Sequence, residues 1–129
     1  MQLNDITAHS LDQEKGRWFD LAEPVEGKPS GIRLRIAGPD SETQHKSRLA
    51  LADELVEMAD ENGRVSAEVR ERLRIKSLAR CVLDWEIEED GAPVPFGHAN
   101  VVRLLNAGLW VQQQVDAFAG ERPPMVGAD

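Results

Sequence analysis

The stretch Ile32-Arg33-Leu34-Arg35-Ile36 alternates apolar and basic residues with a strict period of two. That pattern fits a strand buried on one face and solvated on the other, and it excludes a helix at this point. Ile32, Leu34 and Ile36 are expected to face inward, with Arg33 and Arg35 outward. Upstream, Arg17-Trp18-Phe19-Asp20-Leu21 supplies a second strand-like run, and Pro24, Gly27, Pro29 and Gly31 punctuate the link. Residues 16–37 therefore read as a β-hairpin with a long loop, closed by Gly38-Pro39-Asp40. Residues 1–15 are polar, and are expected to form a short edge strand or to stay mobile.

From residue 41 the period changes to that of a helix. Ser41 with Gln44 makes a capping box ahead of Leu51, Leu55, Met58 and Ala59, with Leu49, Ala52 and Val56 widening the same face. Asn62-Gly63 is expected to stop this helix, and Ser66 to cap the next. Val69, Leu73, Ile75, Leu78 and Val82 give the second helix its apolar stripe. Its other face carries Arg70, Arg72, Arg74, Lys76 and Arg80. Asp90-Gly91 then favours a tight turn, and Pro93 and Pro95 hold the following residues extended. A third helix opens at Gly97 or His98 and runs through Val101, Leu104 and Leu105. Gly108 interrupts it, and a fourth spans Leu109 to Ala119 through Val111, Val115 and Phe118. The expected fold class is α+β: mainly α-helical, with the N-terminal β-hairpin packed on about four helices. Residues 1–129 read as a single domain, with the helical region at 41–119 and a flexible tail at 120–129.

Catalytic motifs are missing. The sequence has no Gly-x-Ser-x-Gly elbow and no Gly-rich phosphate loop with a lysine. Its histidines, His9, His45 and His98, pair with no second His or Cys at ligand spacing. The acidic run 86–90 lacks the ligand order of a calcium loop. The single cysteine, Cys81, is expected to be a small buried hydrophobe. No catalytic, cofactor or metal site is therefore expected. The net charge of −8 repels phosphate, and the aromatic content is low, so neither nucleic acid nor an anionic membrane is an expected partner. The basic residues from Arg70 to Arg80 are better explained by the acids Asp53, Glu54, Glu57, Asp60 and Glu61 on the preceding helix, and by Glu68 four residues before Arg72. No secretion signal or membrane span is legible, so the host cytoplasm is the expected location.

One segment carries a resemblance. It runs Asp84-Trp85-Glu86, Asp90-Gly91-Ala92-Pro93-Val94-Pro95-Phe96, Asn100-Val101-Val102-Arg103-Leu104-Leu105 and Gln114-Val115-Asp116-Ala117-Phe118. This order resembles the tail assembly chaperones of long-tailed bacteriophages. Those proteins place a Trp at the end of a helix, then an acidic Asp-Gly turn, a Pro-x-Pro-Phe link, a Leu-rich helix and a terminal helix with Gln-x-x-x-Phe. Where the family has a Ser/Thr-Pro-Glu cap, this chain has Gly97-His98-Ala99. The resemblance implies a protein that binds the tape measure protein, helps to recruit the tail tube protein, self-associates around its client and leaves before the virion matures. The alternative is a minor tail or head–tail connector protein that stays in the virion. Trp85 and Phe96 are expected to close over each other or over the third helix. The candidate partner-binding residues are Trp85, Phe96, Leu105, Trp110 and Phe118.

Overall fold

The computed structural model describes residues 1–123. In chain order it places α1 (Leu3–Lys15), β1 (Arg17–Ala22), β2 (Pro29–Ile36), α2 (Glu42–Glu57), α3 (Ala67–Ala79), β3 (Val82–Glu86), β4 (Glu88–Glu89), β5 (Ala92–Pro93), α4 (His98–Ala107) and α5 (Leu109–Ala119). The fold is α+β, with the N-terminal hairpin packed against helices as the sequence predicts.

β1 and β2 pair antiparallel, Phe19 opposite Leu34 and Asp20 opposite Arg33. The alternation in β2 resolves as expected: Leu34 and Ile36 are buried, while Arg33 reaches outward to Asp20 at 3.0 Å and Glu86 at 3.2 Å. The Arg33 guanidinium also lies over the Trp18 ring, 4.8 Å from its centroid. Pro29 belongs to the strand rather than to the loop; it is the first residue of β2, where a missing N–H costs the ladder nothing. The Glu23 carboxylate organises the connecting loop by accepting the N–H groups of Val25, Glu26 and Lys28.

The sheet has a third strand that the sequence reading missed. The apolar spacing Leu78 to Val82 reads as one more helical turn, but α3 ends at Ala79 and the chain re-enters the sheet as β3. β3 pairs antiparallel with β2, giving the order β1-β2-β3. Asp84 lies opposite Arg35 and Val82 opposite Ile36, so Leu83 is an extra residue in the ladder, a bulge. Trp85 therefore stands in a strand opposite Leu34, not at a helix end.

Residues 1–15 are neither strand nor loose. Gln2 and Asp5 form a capping box at the start of α1. Its C-terminal half is held by the buried Gln13, whose backbone carbonyl accepts the Gly38 N–H and whose side-chain oxygen accepts that of Asp40. Arg35 completes the attachment by donating to the Lys15 carbonyl at 2.6 Å, a cation at the carbonyl end of a helix.

Ser41 and Ser66 cap α2 and α3 as predicted, accepting the N–H groups of Gln44 and Val69. The predicted stop at Asn62-Gly63 is corrected, because α2 ends at Glu57. Asn62 and Gly63 instead lie in a loop closed by Asp60, whose Oδ1 accepts the N–H groups of Asn62 and Arg64.

Leu21, Leu34, Ile36, Val101, Leu105 and Val115 form the driest part of the core, between the inner sheet face and helices α3 to α5. Each such side chain contributes about 1.5–3 kcal/mol by leaving water. Side-chain amides fix the helix ends around it. Gln44 donates from Nε2 to the carbonyls of Ala37 at 2.8 Å and Ala119 at 2.7 Å. Gln112 donates to Leu105 at 2.8 Å. Gln114 meets the outer edge of β1, accepting the Ala22 N–H at 3.0 Å and donating to its carbonyl at 2.8 Å.

Candidate functional site

Asp90 and Gly91 both take positive φ, 53° and 78°, so the two-residue turn between β4 and β5 is of the mirror-image type that suits a tight hairpin. This turn makes residues 87–96 an arm that leaves the sheet at β3 and returns to α4. Trp85 sits at its root. The ring is buried, and its Nε1 donates to the Val94 carbonyl at 2.8 Å. Phe96 lies edge-on to it, with ring centroids 5.8 Å apart. The expected closure of the two rings is present, and Phe96 remains 42% exposed.

An open cleft lies on each side of this root. One, of about 580 Å³, is lined by Ser30, Ile32, Trp85, Glu86, Ile87 and Val94, among others. The other, of about 300 Å³, runs between the arm and α4 along Ile87, Val94, Asn100, Arg103 and Leu104. Both offer apolar walls with a charged rim: Glu86 and Glu88 at the first, Glu88, Glu89 and Arg103 at the second. Such a surface accommodates an apolar side chain on an extended or helical partner.

The other predicted partner residues do not join this site. Leu105 is fully buried, so it cannot meet a partner in this fold; it is a core residue because α4 turns its Val101–Leu105 face into the common core beside α3 and α5. Trp110 is partly buried against Gly108, where any Cβ would lie 2.8 Å from the indole Nε1. Gly108 is thus required for the close approach of that ring. Phe118 stacks at 4.8 Å on Phe19 and lies under the Arg17 guanidinium at 4.6 Å, which ties α5 to β1. The signal that separates these roles was partly legible. Phe96 follows two prolines in a segment without helical or strand periodicity, whereas Leu105 and Phe118 stand on amphipathic stripes.

Three residues of the basic face of α3, Arg74, Lys76 and Arg80, are paired within the chain; Arg70 and Arg72 form no ion pair among the described residues. Glu54 of α2 pairs with Lys76 at 3.1 Å and Arg80 at 2.6 Å. Arg74 pairs with Glu71 at 2.6 Å and donates to Gln112 at 2.9 Å. The expected Glu68–Arg72 pair is not among the ion pairs of the described residues. Burial alone would raise the Glu54 pKa, but hydrogen bonds from Arg80 and Lys76, reinforced by their charges, hold it below 4.5. A carboxylate depressed in this way contributes stability that is present above its unfolded pKa and lost as pH falls through the folded value. The urea midpoint is therefore expected to fall on acidification below about pH 4.5, and Glu54→Gln to flatten that decline.

Asp40 is a second charged node. It receives both Nε and Nη2 of Arg122, at 2.9 and 2.7 Å, and lies 2.8 Å from Nε2 of His9. The Arg122 hydrogen bonds, then that of His9, hold its carboxyl well below the usual aspartate range. The start of the predicted 120–129 tail is therefore anchored, and Arg17 also donates to the Glu121 carbonyl at 3.3 Å. The rest of that prediction, 124–129, lies outside the described residues.

Cys81 is buried as predicted, although in the turn after α3 rather than within the helix. Burial pushes its thiol pKa up. A thiol reagent such as DTNB at pH 8 is expected to label it slowly in the native chain and fully in guanidinium; rapid native labelling would contradict the placement. Among the described residues no group of three or more His, Cys, Asp or Glu side chains is placed to hold a metal ion, and no helix is long and apolar enough to cross a membrane. Compared with models of protein families, with curated proteins and with solved structures, the chain matches none.

Proposed function

We propose that this chain is a non-enzymatic phage or prophage tail assembly chaperone of the host cytoplasm. In this reading it binds the tape measure protein, helps to recruit the tail tube protein, self-associates around its client and is absent from the mature virion. The supporting observation is the arm rooted at Trp85. The segment Asp84 to Phe118, whose order of motifs resembles that family, includes this arm; its root, Trp85, lines both open clefts and holds the half-exposed Phe96 edge-on. An apolar side chain of a helical client fits either cleft, and the acids Glu86 and Glu88 at the rim of the first favour clients with neighbouring lysine or arginine.

Co-expression with the tape measure protein of the same phage tests the reading. Copurification is expected, and Phe96→Ala is expected to weaken it by about tenfold while shifting the melting temperature only slightly. Absence of copurification at low salt argues against the assignment. Finding the chain at stoichiometric copy number in purified virions would favour the alternative, a minor tail or head–tail connector protein.

A further inference from the structure

α2 has two apolar faces. The inner one, with Leu51 and Leu55, is half-buried in the body of the fold, beside Ser47, whose hydroxyl donates to the Ser77 carbonyl of α3 at 2.7 Å. The outer one has no partner. Leu49, Ala52 and Val56 follow each other at i, i+3 and i+7, and Leu49 is 54% and Val56 77% exposed. One turn before Leu49, His45 lines an open cleft of about 590 Å³ between α1 and α2. The opposite wall of that cleft carries Leu11, and the row Leu11, Thr7, Leu3 continues from it along α1, exposed throughout. Two unpartnered helical rows thus start from one cleft.

We propose that this surface docks an amphipathic helix of another protein, one whose apolar stripe is flanked by lysine or arginine. It is separate from the Trp85–Phe96 clefts and stands whatever occupies those. Rows at helical spacing are matched by the ridges of a third helix. The charge at the rim selects which helix. Asp53 lies one turn after Leu49 and Glu57 one turn after Asp53, both exposed, and neither forms an ion pair among the described residues. The cation on that edge, Lys46, is paired with Glu42 at 3.6 Å, and Arg48 lies on the far edge. A two-fold contact between copies of this chain would set the same patch, acids included, against itself, so a basic partner fits better than a second copy.

The test titrates the full chain against a fluorescein-labelled peptide of about 18 residues with a leucine stripe and lysine flanks, and against its glutamate-flanked counterpart, by fluorescence anisotropy. The lysine peptide is expected to bind, more weakly as salt rises, and the glutamate peptide not to bind. Leu49→Glu combined with Val56→Glu is expected to weaken binding at least about tenfold with an unchanged circular dichroism spectrum. The two glutamates add negative charge, so purely electrostatic capture would strengthen instead. Val25→Glu, at an exposed residue in the β1–β2 loop, is expected to leave binding unchanged. Equal binding of both peptides, or binding untouched by the double variant, overturns the proposal. So does a concentration-dependent dimer in sedimentation that the double variant dissolves, which would assign the surface to a second copy.

Discussion

Trp85→Ala is expected to lower the stability of the chain by about 3–5 kcal/mol, the range for removing a large buried ring. Three things go at once: the buried indole that fills the core beside Leu34, its hydrogen bond to the Val94 carbonyl and its edge-on contact with Phe96, while the backbone pairing of β3 with β2 stays. The last two fasten the arm, so its amides at 87–96 are expected to exchange faster than the rest. Trp85→Phe restores the ring but not the N–H, and is expected to recover most of the loss. Urea denaturation and hydrogen exchange measure both. A loss under about 1 kcal/mol in the alanine variant would mean that the ring is not in the core.

Gln44→Leu is the second large effect. The substitution keeps an apolar body of similar length but removes the donor shared by the carbonyls of Ala37 and Ala119. Leaving a buried acceptor unpaired costs about 1–3 kcal/mol, so two together are expected to cost about 2–4 kcal/mol. The destabilisation is expected to be uneven. Ala119 ends α5 and Ala37 follows β2, so exchange protection is expected to fall first where the last helix meets the sheet. A uniform loss across all elements would place the effect elsewhere.

The parts of the fold that were legible in the sequence are those where one local signal met no competitor. Ile32 to Ile36 allowed only a strand, Ser41 and Ser66 only helix starts, and Gly97 and Gly108 bracketed α4. The misreadings have tertiary causes. α1 is polar because its attachment is made by Gln13 and Glu14 rather than by apolar residues; Glu14 accepts the N–H and hydroxyl of Thr43. β3 was hidden because Leu78 and Val82 are spaced as well for a helix as for a helix followed by a strand. At the site, the Trp85–Phe96 closure was legible from two rings flanking a proline-stiffened turn. The burial of Leu105 was not separable from exposure until the packing of α4 was known. Leu49, Ala52 and Val56 widen the periodic face of α2 in the sequence and are exposed in the fold, because periodicity reports which side chains share a side and not whether anything covers it.

The Asp40 carboxylate has a consequence for the order of the chain. His9 and Arg122 touch the same oxygen, Oδ2, so segments from opposite ends of the sequence meet within one side chain's reach. A linker from Arg122 to Gln2, about two turns of α1 before His9, would therefore close the backbone into a ring, and the Asp60-bridged loop after α2 offers a place to reopen it. A polypeptide recut in that way keeps every strand pairing of the sheet, and its ability to fold would show that the route from first residue to last is not what specifies this architecture.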